Sequence, residues 1–518
     1  MKSPALYSAL MRYSNKFFEK HGRIIAVQSA RGTYSSRMSR RNCDGRWCPR
    51  PATSNLPIEH ALAEEVRMNV ITTERPVRET RRDFLKTAVK AAAVVGTGMS
   101  ASFPRDSVAL ASGSDAAFWR TVRESFMIDP KLHYHNIGGT GAVPRHVVQN
   151  YDLYNRTIAR DPNATYNITQ MRTDIAPGFG VTPDEIVLTT NTTDGMCMSL
   201  NGLDWAPGDE IISTNMEHPG GNGPMSHQAL RYGVVIKRAV LPVGADAQPE
   251  DYVNAFKAQL TANTKAICFS HIPYLTGALL PAKALCTWAR ENGLISIIDG
   301  AHVSGMLNIQ FHDLEVDFYA ASGHKWQCGP HGTGIWYVRN QTQSNPMALS
   351  MIWGVLTSGN AVDSRFANGQ VRNIGSFLQS HGHSNEPEWQ ALTDSCKFWD
   401  KIGRDKIDVY VRGLSAELKR RVVATWGRPG LMNPDHPDLV SGITTINPFK
   451  DKTDTTKMRA LVDRLASDYN MTTALRNFPT PSGGQLTSVR VSTHLFHDFG
   501  DLDYVMNAIQ SLAAQIDV

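Results

Sequence analysis

The most constraining feature of this chain is a regular alternation of short apolar runs with segments of helical length between residues 186 and 338. The runs have the length of strands, and most connections are long enough to hold a helix, which is the pattern of a parallel sheet covered on both faces. We predict an α/β fold with a mostly parallel, seven-stranded sheet, its strands at Ile186–Thr190, Ile211–Thr214, Val234–Lys237, Ala266–Ser270, Ile295–Ile298, Phe318–Ala321 and Gly334–Val338. Ligands bind beyond the carboxyl ends of such strands, so the polar residues that follow each run are the first candidates for a site.

The pattern changes after Gly403, where helical and strand segments alternate again in a shorter stretch. The predicted elements are helices at Lys406–Val423, Thr455–Tyr469 and Leu502–Ile516, and strands near Val440–Ile446 and Thr487–Ser492. We therefore expect an N-terminal arm (112–131), a large domain (132–390) and a smaller C-terminal α/β domain (391–518). The segment between residues 341 and 388 is rich in Gly, Ser and Asn, as active-site and partner-contacting loops often are.

The charge of the chain is unevenly distributed. The whole sequence has 53 Lys and Arg against 48 Asp and Glu, but residues 1–111 alone have 19 against 9, so the remainder is net −5. A nucleic-acid-binding protein would be expected to have its basic surface on the folded domain, and that class is therefore not favoured. The seven cysteines form no CxxC pair or other metal-ligand spacing, so the sequence predicts neither a metal site nor a disulfide framework.

The basic leader contains the sequence Thr80-Arg81-Arg82-Asp83-Phe84-Leu85-Lys86, which resembles a twin-arginine export signal. The apolar stretch that follows is too short for a membrane span, and Ala109-Leu110-Ala111 offers a cleavage pattern before Ser112. The alternative is a chance Arg-Arg pair in a basic segment. We expect a signal peptide at 68–111, a non-native or disordered leader at 1–67, export by the twin-arginine machinery to the periplasm and no stable membrane insertion.

Two short sequences at strand ends contain the candidate chemistry, Asp299-Gly300-Ala301-His302 and Ser322-Gly323-His324-Lys325. An Asp at a strand end or a Lys in the loop that follows is commonplace when it stands alone. Together, in this order, they resemble the signature of the class V pyridoxal-phosphate (PLP) enzymes, the superfamily of aminotransferases and cysteine desulfurases. The resemblance covers about Leu132 to the C-terminus.

This resemblance implies PLP as cofactor and a transferase fold of type I. Lys325 would hold PLP as an internal aldimine, and Asp299 would keep the pyridine nitrogen protonated so that the ring can accept electrons from Cα. Thr192 and Thr193, which follow a strand, would bind the phosphate at a helix N-terminus together with Ser322 and His324. Ordinary N-capping by Thr193 is the alternative for that pair.

The resemblance assigns further residues. In Met216-Glu217-His218 the histidine would stack on the pyridine ring, and His302 would lie near the phenolate oxygen of PLP. In Val489-Arg490-Val491-Ser492 the arginine would bind the substrate α-carboxylate, the alternative being a solvated arginine at a strand end.

Three segments depart from the family pattern. The loop expected over Thr472–Asn477 has no cysteine, which argues against desulfurase chemistry. Many relatives have Gly-Thr, reaching the phosphate of the neighbouring subunit, where this chain reads Asn368-Gly369-Gln370-Val371-Arg372-Asn373. We expect a homodimer with shared active sites, with Gln370 near the cofactor and Arg372 near the substrate. Tyr274 lies two residues before Thr276-Gly277, in a segment that lacks the usual Asn and is expected to contact substrate.

The segment His135–Pro144 is similar to the Asn-x-Gly loop of the isopenicillin N epimerase-like branch, which makes Asn136 a substrate-binding candidate. That branch contains epimerases, aminotransferases, lyases and an exported enzyme that tailors a pyoverdine siderophore. We expect an exported enzyme with aminotransferase or deaminase-type chemistry on a small amino acid or a residue of a peptide. An epimerase or lyase is the alternative, and a non-catalytic binding module of the same fold is a third.

Overall fold

The structure, a computed structural model, describes residues 114–339, 352–355, 374–380, 382–480 and 484–517. The predicted leader, signal peptide and cleavage point lie outside these residues, as do Gln370 and Arg372. All described residues belong to one compact unit of the chain. None of the described helices is both long enough and apolar enough to cross a membrane.

The described strands are, in chain order, β1 (His133–Tyr134), β2 (Ile186–Thr189), β3 (Glu210–Thr214), β4 (Val235–Ala239), β5 (Thr264–Ser270), β6 (Ile295–Gly300), β7 (Phe318–Ser322), β8 (Gly334–Val338), β9 (Ile443–Ile446), β10 (Met471–Thr472), β11 (Ala474–Pro479) and β12 (Gln485–Ser492). Strands β2 to β8 form the seven-stranded sheet, in the order β2-β8-β7-β6-β5-β3-β4. Neighbouring strands are parallel except in the two pairs that include β8. The predicted mostly parallel sheet is confirmed, with every strand within two residues of its expected bounds.

The described helices are α1 (Ser114–Glu124), α2 (Arg145–Arg160), α3 (Ile168–Ile175), α4 (Thr192–Asn201), α5 (Pro219–Tyr232), α6 (Pro249–Lys257), α7 (Ala282–Glu291), α8 (Phe311–Leu314), α9 (Ile374–Gln379), α10 (Glu386–Ile402), α11 (Arg404–Trp426), α12 (Thr455–Tyr469) and α13 (Phe499–Ile516). The three predicted C-terminal helices are confirmed as α11, α12 and α13. Helix α9 lies inside the segment that the sequence analysis treated as loop.

The large sheet is buried on both faces because successive side chains enter different cores. In β6, Ile297 packs with Cys268 and Phe318 in one hydrophobic cluster, whereas Ile298 belongs to a second cluster. Side chains alternate between the faces of a strand, so the two clusters lie on opposite sides of the sheet. This explains why the strands read as continuous apolar runs.

A second, antiparallel sheet has the order β11-β12-β9. Strands β9 and β12 confirm the two predicted C-terminal strands, but the loop expected over Thr472–Asn477 is wrong. From Ala474 onward the backbone pairs with β12, and Thr472 lies in β10, which pairs with β1. Residues of both larger sheets pack in one continuous hydrophobic cluster, and the division at residues 390 and 391 stays a prediction.

Candidate active site

The candidate residues of the large sheet gather at one edge, the carboxyl end of its parallel strands. Thr192 begins the helix that follows β2, and His218 lies after β3. Asp299 is the penultimate residue of β6, and Lys325 lies three residues beyond β7. The fold therefore brings four separated sequence motifs to the position where α/β sheets bind ligands.

Lys325 has the electrostatic setting of a nucleophilic amine. Burial lowers the pKa of its ammonium to about 8, Asp299 opposes this shift, and Arg490 and Arg476 add to it. A larger fraction of the amine is therefore neutral near pH 7 than in an exposed lysine, as bond formation to a carbonyl compound requires.

Asp299 is buried and keeps one oxygen free. Its Oδ1 accepts a hydrogen bond from the Ala301 backbone N–H at 2.9 Å, and no described group donates to its Oδ2. Burial raises the pKa of this carboxyl, while the Ala301 bond and the charges of Lys325 and His218 lower it. The free oxygen can accept a hydrogen bond from a protonated ring nitrogen.

The start of α4 supplies hydroxyl groups beside the lysine segment. Asn191 caps this helix by accepting the Asp194 backbone N–H at 3.1 Å, so N-capping by Thr193 is not what the structure shows. Thr192 Oγ1 lies 2.8 Å from Ser322 Oγ, and Thr193 is exposed with no hydrogen bond to another described group. The helix N-terminus and these hydroxyls form a suitable site for a phosphate.

His324, the fourth predicted phosphate donor, has a half-buried side chain. Its Nδ1 lies 3.5 Å from the Thr333 carbonyl oxygen, a long contact. Burial and the charge of Lys325 lower its pKa. The ring is therefore neutral at neutral pH.

His218 is exposed and positioned by its own helix. Its Nδ1 accepts the Gly220 backbone N–H at 3.0 Å as the N-cap of α5, which places the proton of the neutral ring on Nε2. The ring meets Tyr274 edge to face, with centroids 5.1 Å apart. Partial burial, followed by the charge of Lys325, lowers the pKa of His218, so a neutral ring is available for stacking.

His302 is buried behind Lys325. Its Nδ1 accepts a hydrogen bond from Trp326 Nε1 at 3.1 Å, and burial, with Lys325, holds its pKa well below the usual range. His302 is thus a neutral donor through Nε2, and Trp326 fixes its orientation.

Arg490 is not a solvated strand-end arginine, because only 1% of the residue is exposed. One guanidinium nitrogen, Nη1, donates to the Tyr274 carbonyl oxygen at 2.9 Å, and Nη2 donates to Asn136 Oδ1 at 2.9 Å. Its buried Nε has no hydrogen-bond partner among the residues that the structure describes. Arg490, Asn136 and Tyr274, all predicted to bind substrate, therefore lie together. Asn136 and the Tyr274 carbonyl do so by accepting hydrogen bonds that position Arg490.

A glycine-rich loop, residues 136–141, connects the arginine with the lysine. A Cβ on Gly138 would lie 2.7 Å from Arg490 Nη2, and a Cβ on Gly141 would lie 1.9 Å from the Lys325 carbonyl oxygen. The Gly141 backbone N–H donates to the His324 carbonyl at 2.8 Å. Only glycine fits at these two close approaches.

The sequence analysis missed two charged residues of the site. Arg476 on β11 lies with its Cζ 5.6 Å from the centre of the Tyr274 ring. Buried Glu217 accepts hydrogen bonds from Thr214 Oγ1 at 2.5 Å and from Ser270 N and Oγ at 2.9 and 2.7 Å. The segment Ala474–Phe478 reads Ala-Leu-Arg-Asn-Phe, which does not alternate between apolar and polar residues, so the local sequence has no clear signal for the strand of Arg476.

The geometry fits PLP. It offers a lysine with a lowered pKa, a carboxylate oxygen free for the pyridinium N–H, an exposed imidazole for the ring and hydroxyls at a helix N-terminus for the phosphate. Among the described residues there is no group of three or more metal-binding side chains.

The chain is similar to proteins of known name. It is 27% identical over 407 residues to isopenicillin N epimerase of Amycolatopsis lactamdurans, covering 77% of this chain and 99% of the relative. It is 26% identical to isopenicillin N epimerase of Streptomyces clavuligerus, covering 63% and 83%. A probable cysteine desulfurase of Mycobacterium leprae is 27% identical over 47% of this chain and 57% of the relative.

Solved structures share the fold at lower identity. The cystine C-S lyase C-DES in complex with cysteine persulfide superposes with a TM-score of 0.60 at 22% identity, covering 73% of this chain and 97% of the other. The cysteine desulfurase CsdA of Escherichia coli gives a TM-score of 0.62 at 19% identity, covering 77% and 98%. The sequence model of the family described as Aminotransferase class-V matches residues 134–463, which is more than half of the chain. The chain therefore belongs to the class V aminotransferase family.

Proposed function

We propose that this protein is a PLP-dependent enzyme that acts on the amino group or the Cα of an amino acid, free or as a residue of a peptide. The observation that carries the proposal is the convergence of Lys325, Asp299 and Arg490 on one site. A lysine of lowered pKa, a buried carboxylate and a buried arginine meet the needs of the cofactor and of a substrate carboxylate.

PLP, when bound, supplies an electron sink for the bonds of Cα. Lys325 would hold the cofactor through Nζ, and the same amine would accept or donate a proton at the substrate Cα. Asp299 Oδ2 would accept a hydrogen bond from the protonated pyridine nitrogen, and the His218 ring would stack on the cofactor ring. Arg490 binds the substrate carboxylate, and Thr192, Thr193 and Ser322 bind the phosphate.

Aminotransferase or deaminase-type chemistry is the first candidate, and epimerisation or elimination is the alternative. The similarity to two isopenicillin N epimerases supports proton transfer at Cα as the shared step. Desulfurase chemistry is not proposed, because Thr472–Asn477 contains no thiol and burial raises the pKa of each described cysteine. Incubating the enzyme with amino acids in D₂O separates epimerisation, which gives the deuterated enantiomer, from the reactions that give a keto acid. Release of the β-substituent then distinguishes elimination from transamination or deamination.

The cofactor assignment is tested by borohydride reduction of the purified protein followed by peptide mapping. We expect a pyridoxyl label on Lys325 and none in Lys325→Ala. Lys419 is the matched competitor, because burial lowers its pKa to about 7 and it lies outside the site. A label on Lys419, or no label, would overturn the proposal.

We further propose that the protein is exported to the periplasm by the twin-arginine route and works as a homodimer, with Gln370 and Arg372 reaching the neighbouring site. The Arg81-Arg82 segment and the cleavage pattern before Ser112 support export. The combination of an export signal with a class V fold makes one specific activity a candidate. That activity is the tailoring of an amino-acid residue in a siderophore of the pyoverdine type. Replacing both arginines by lysine should retain the protein in the cytoplasm, and unchanged periplasmic recovery would contradict the route.

A further inference from the structure

Arg476 and Arg490 lie on the same face of the second sheet. Ala474 is the register partner of Arg490, and Arg476 is the partner of Ser488. Residues directly opposite one another, and residues two apart on a strand, share a face, so the two arginines are diagonal neighbours. Side chains in diagonal positions are about 7–8 Å apart at their base, a separation that two arginines can bridge with one ligand.

Tyr274 connects both arginines to the site. Its carbonyl oxygen accepts the hydrogen bond of Arg490, and its ring lies under Arg476 and against His218. The charge of Arg476 also lowers the pKa of Lys325, His218 and Arg490, as expected for a cation that faces the same cavity. Arg476 is therefore part of the site and does not point to bulk solvent.

Arg476 has no acidic partner among the described residues. Its Nη1 donates to the Leu475 carbonyl at 2.8 Å, while its buried Nε has no hydrogen-bond partner in the described part of the chain. The buried Oγ of Ser488, opposite Arg476 in the register, likewise has no hydrogen bond to any described residue. Half-buried guanidinium groups normally pair with an anion, and no described residue supplies one to Arg476 or its neighbour Ser488.

The charges of the site have the same implication. The charges of Asp299, Arg490 and Arg476 all act on Lys325, and Arg490 is assigned to the substrate α-carboxylate. The cofactor phosphate is assigned to the N-terminus of α4, the helix that follows β2 of the seven-stranded sheet. Arg476 therefore remains for a second negative group on the substrate itself.

We propose that Arg476 binds a side-chain carboxylate, and that the substrate is an amino acid or amino-acid residue with an acidic side chain. The inference rests on the proposed function and narrows its substrate class. Ser488 Oγ would supply the neutral donor beside the guanidinium. Arg476 thus sets specificity, whereas Lys325 and Asp299 serve any amino acid.

The test measures binding of unreactive acids to the PLP-loaded enzyme by isothermal titration. The probes are the dicarboxylates succinate, glutarate and adipate, each compared with the monocarboxylate of the same carbon number. We expect at least one dicarboxylate to bind about tenfold or more tightly than its partner, the effect of one charge-assisted contact. In Arg476→Gln this ratio should fall to near one, with the absorption band of the bound cofactor unchanged.

Arg464→Gln is the matched control, because Arg464 pairs with Asp468 on the exposed side of α12. It should leave the ratio unchanged. If Arg476→Gln does not fold, Arg476→Lys serves instead and should reduce the ratio, because it keeps the charge and loses the planar fork.

The inference is overturned if no dicarboxylate is preferred, or if the preference survives in Arg476→Gln. Equal weakening of both classes of acid would show that Arg476 acts only by supporting Tyr274, and would also overturn it. These failures differ from failure of the proposed function, in which PLP would not attach to Lys325 at all.

Discussion

Asn136 Oδ1 accepts a hydrogen bond from Arg490 Nη2 across 354 positions of the chain. Asn136, which the sequence predicted to contact substrate, thus orients the arginine that we propose binds the substrate carboxylate. We predict that Arg490→Lys lowers substrate affinity about ten- to a hundredfold, because a hydrogen bond to a charged group contributes about 1.5–3 kcal/mol. Asn136→Ala should weaken binding less, since the Tyr274 carbonyl still holds Arg490. Titration of the PLP-loaded variants with substrate checks both, and a loss of the cofactor band would instead show a structural role.

Gly141 should tolerate no side chain. A Cβ there would overlap the Lys325 carbonyl oxygen, so we predict that Gly141→Ala destabilises the protein by about 1–3 kcal/mol, as overpacking does. Gly223→Ala is the control, because its Cβ would meet nothing within 4 Å and alanine favours the helix. Urea unfolding compares the two, and equal stability of both variants would contradict the assigned contact.

The pKa of Lys325 predicts how cofactor capture depends on pH. Neutral amine is needed, so the rate at which cofactor-free protein captures PLP should rise with pH and level off above about pH 8. Asp299 raises this pKa and Arg476 lowers it. The midpoint should therefore move to lower pH in Asp299→Asn and to higher pH in Arg476→Gln. Stopped-flow absorbance measures the profiles, and identical midpoints in all three proteins would argue against this electrostatic coupling.

Glu217 should make stability depend on pH. Burial raises its pKa to about 7, against an ordinary value near 4.5, so the folded state binds the proton more tightly than the unfolded chain does. This contribution is fully present below about pH 4.5 and is lost as pH rises through about 7. We predict that Glu217→Gln shows a smaller decrease in Tm between pH 5 and 7 than the parent protein. Parallel Tm profiles would contradict this linkage.

The sequence predicted the large sheet well because its strands are apolar on both faces. It indicated Lys325, Asp299 and His218 as candidates because each lies at or just beyond the end of a strand, in a short motif. It did not predict the pairing of Asn136 with Arg490, since nothing local connects residues so distant in the chain. The sequence did not predict the strand of Arg476, because Ala474–Phe478 lacks the alternation of apolar and polar residues typical of a half-buried strand, and its pairing with β12 is visible only in the fold.

The residues assigned to the cofactor and the two arginines assigned to the substrate lie far apart in the sequence, so they are synthesised at different times. Every described residue assigned to the cofactor precedes residue 326, whereas Arg476 and Arg490 belong to strands formed near the end of the sequence. A nascent or truncated chain that ends before β11 contains the groups proposed to hold PLP but neither of the two arginines proposed to bind the substrate. Competence to bind substrate is therefore a property of the finished fold, and contacts of such long sequence separation are slow to form.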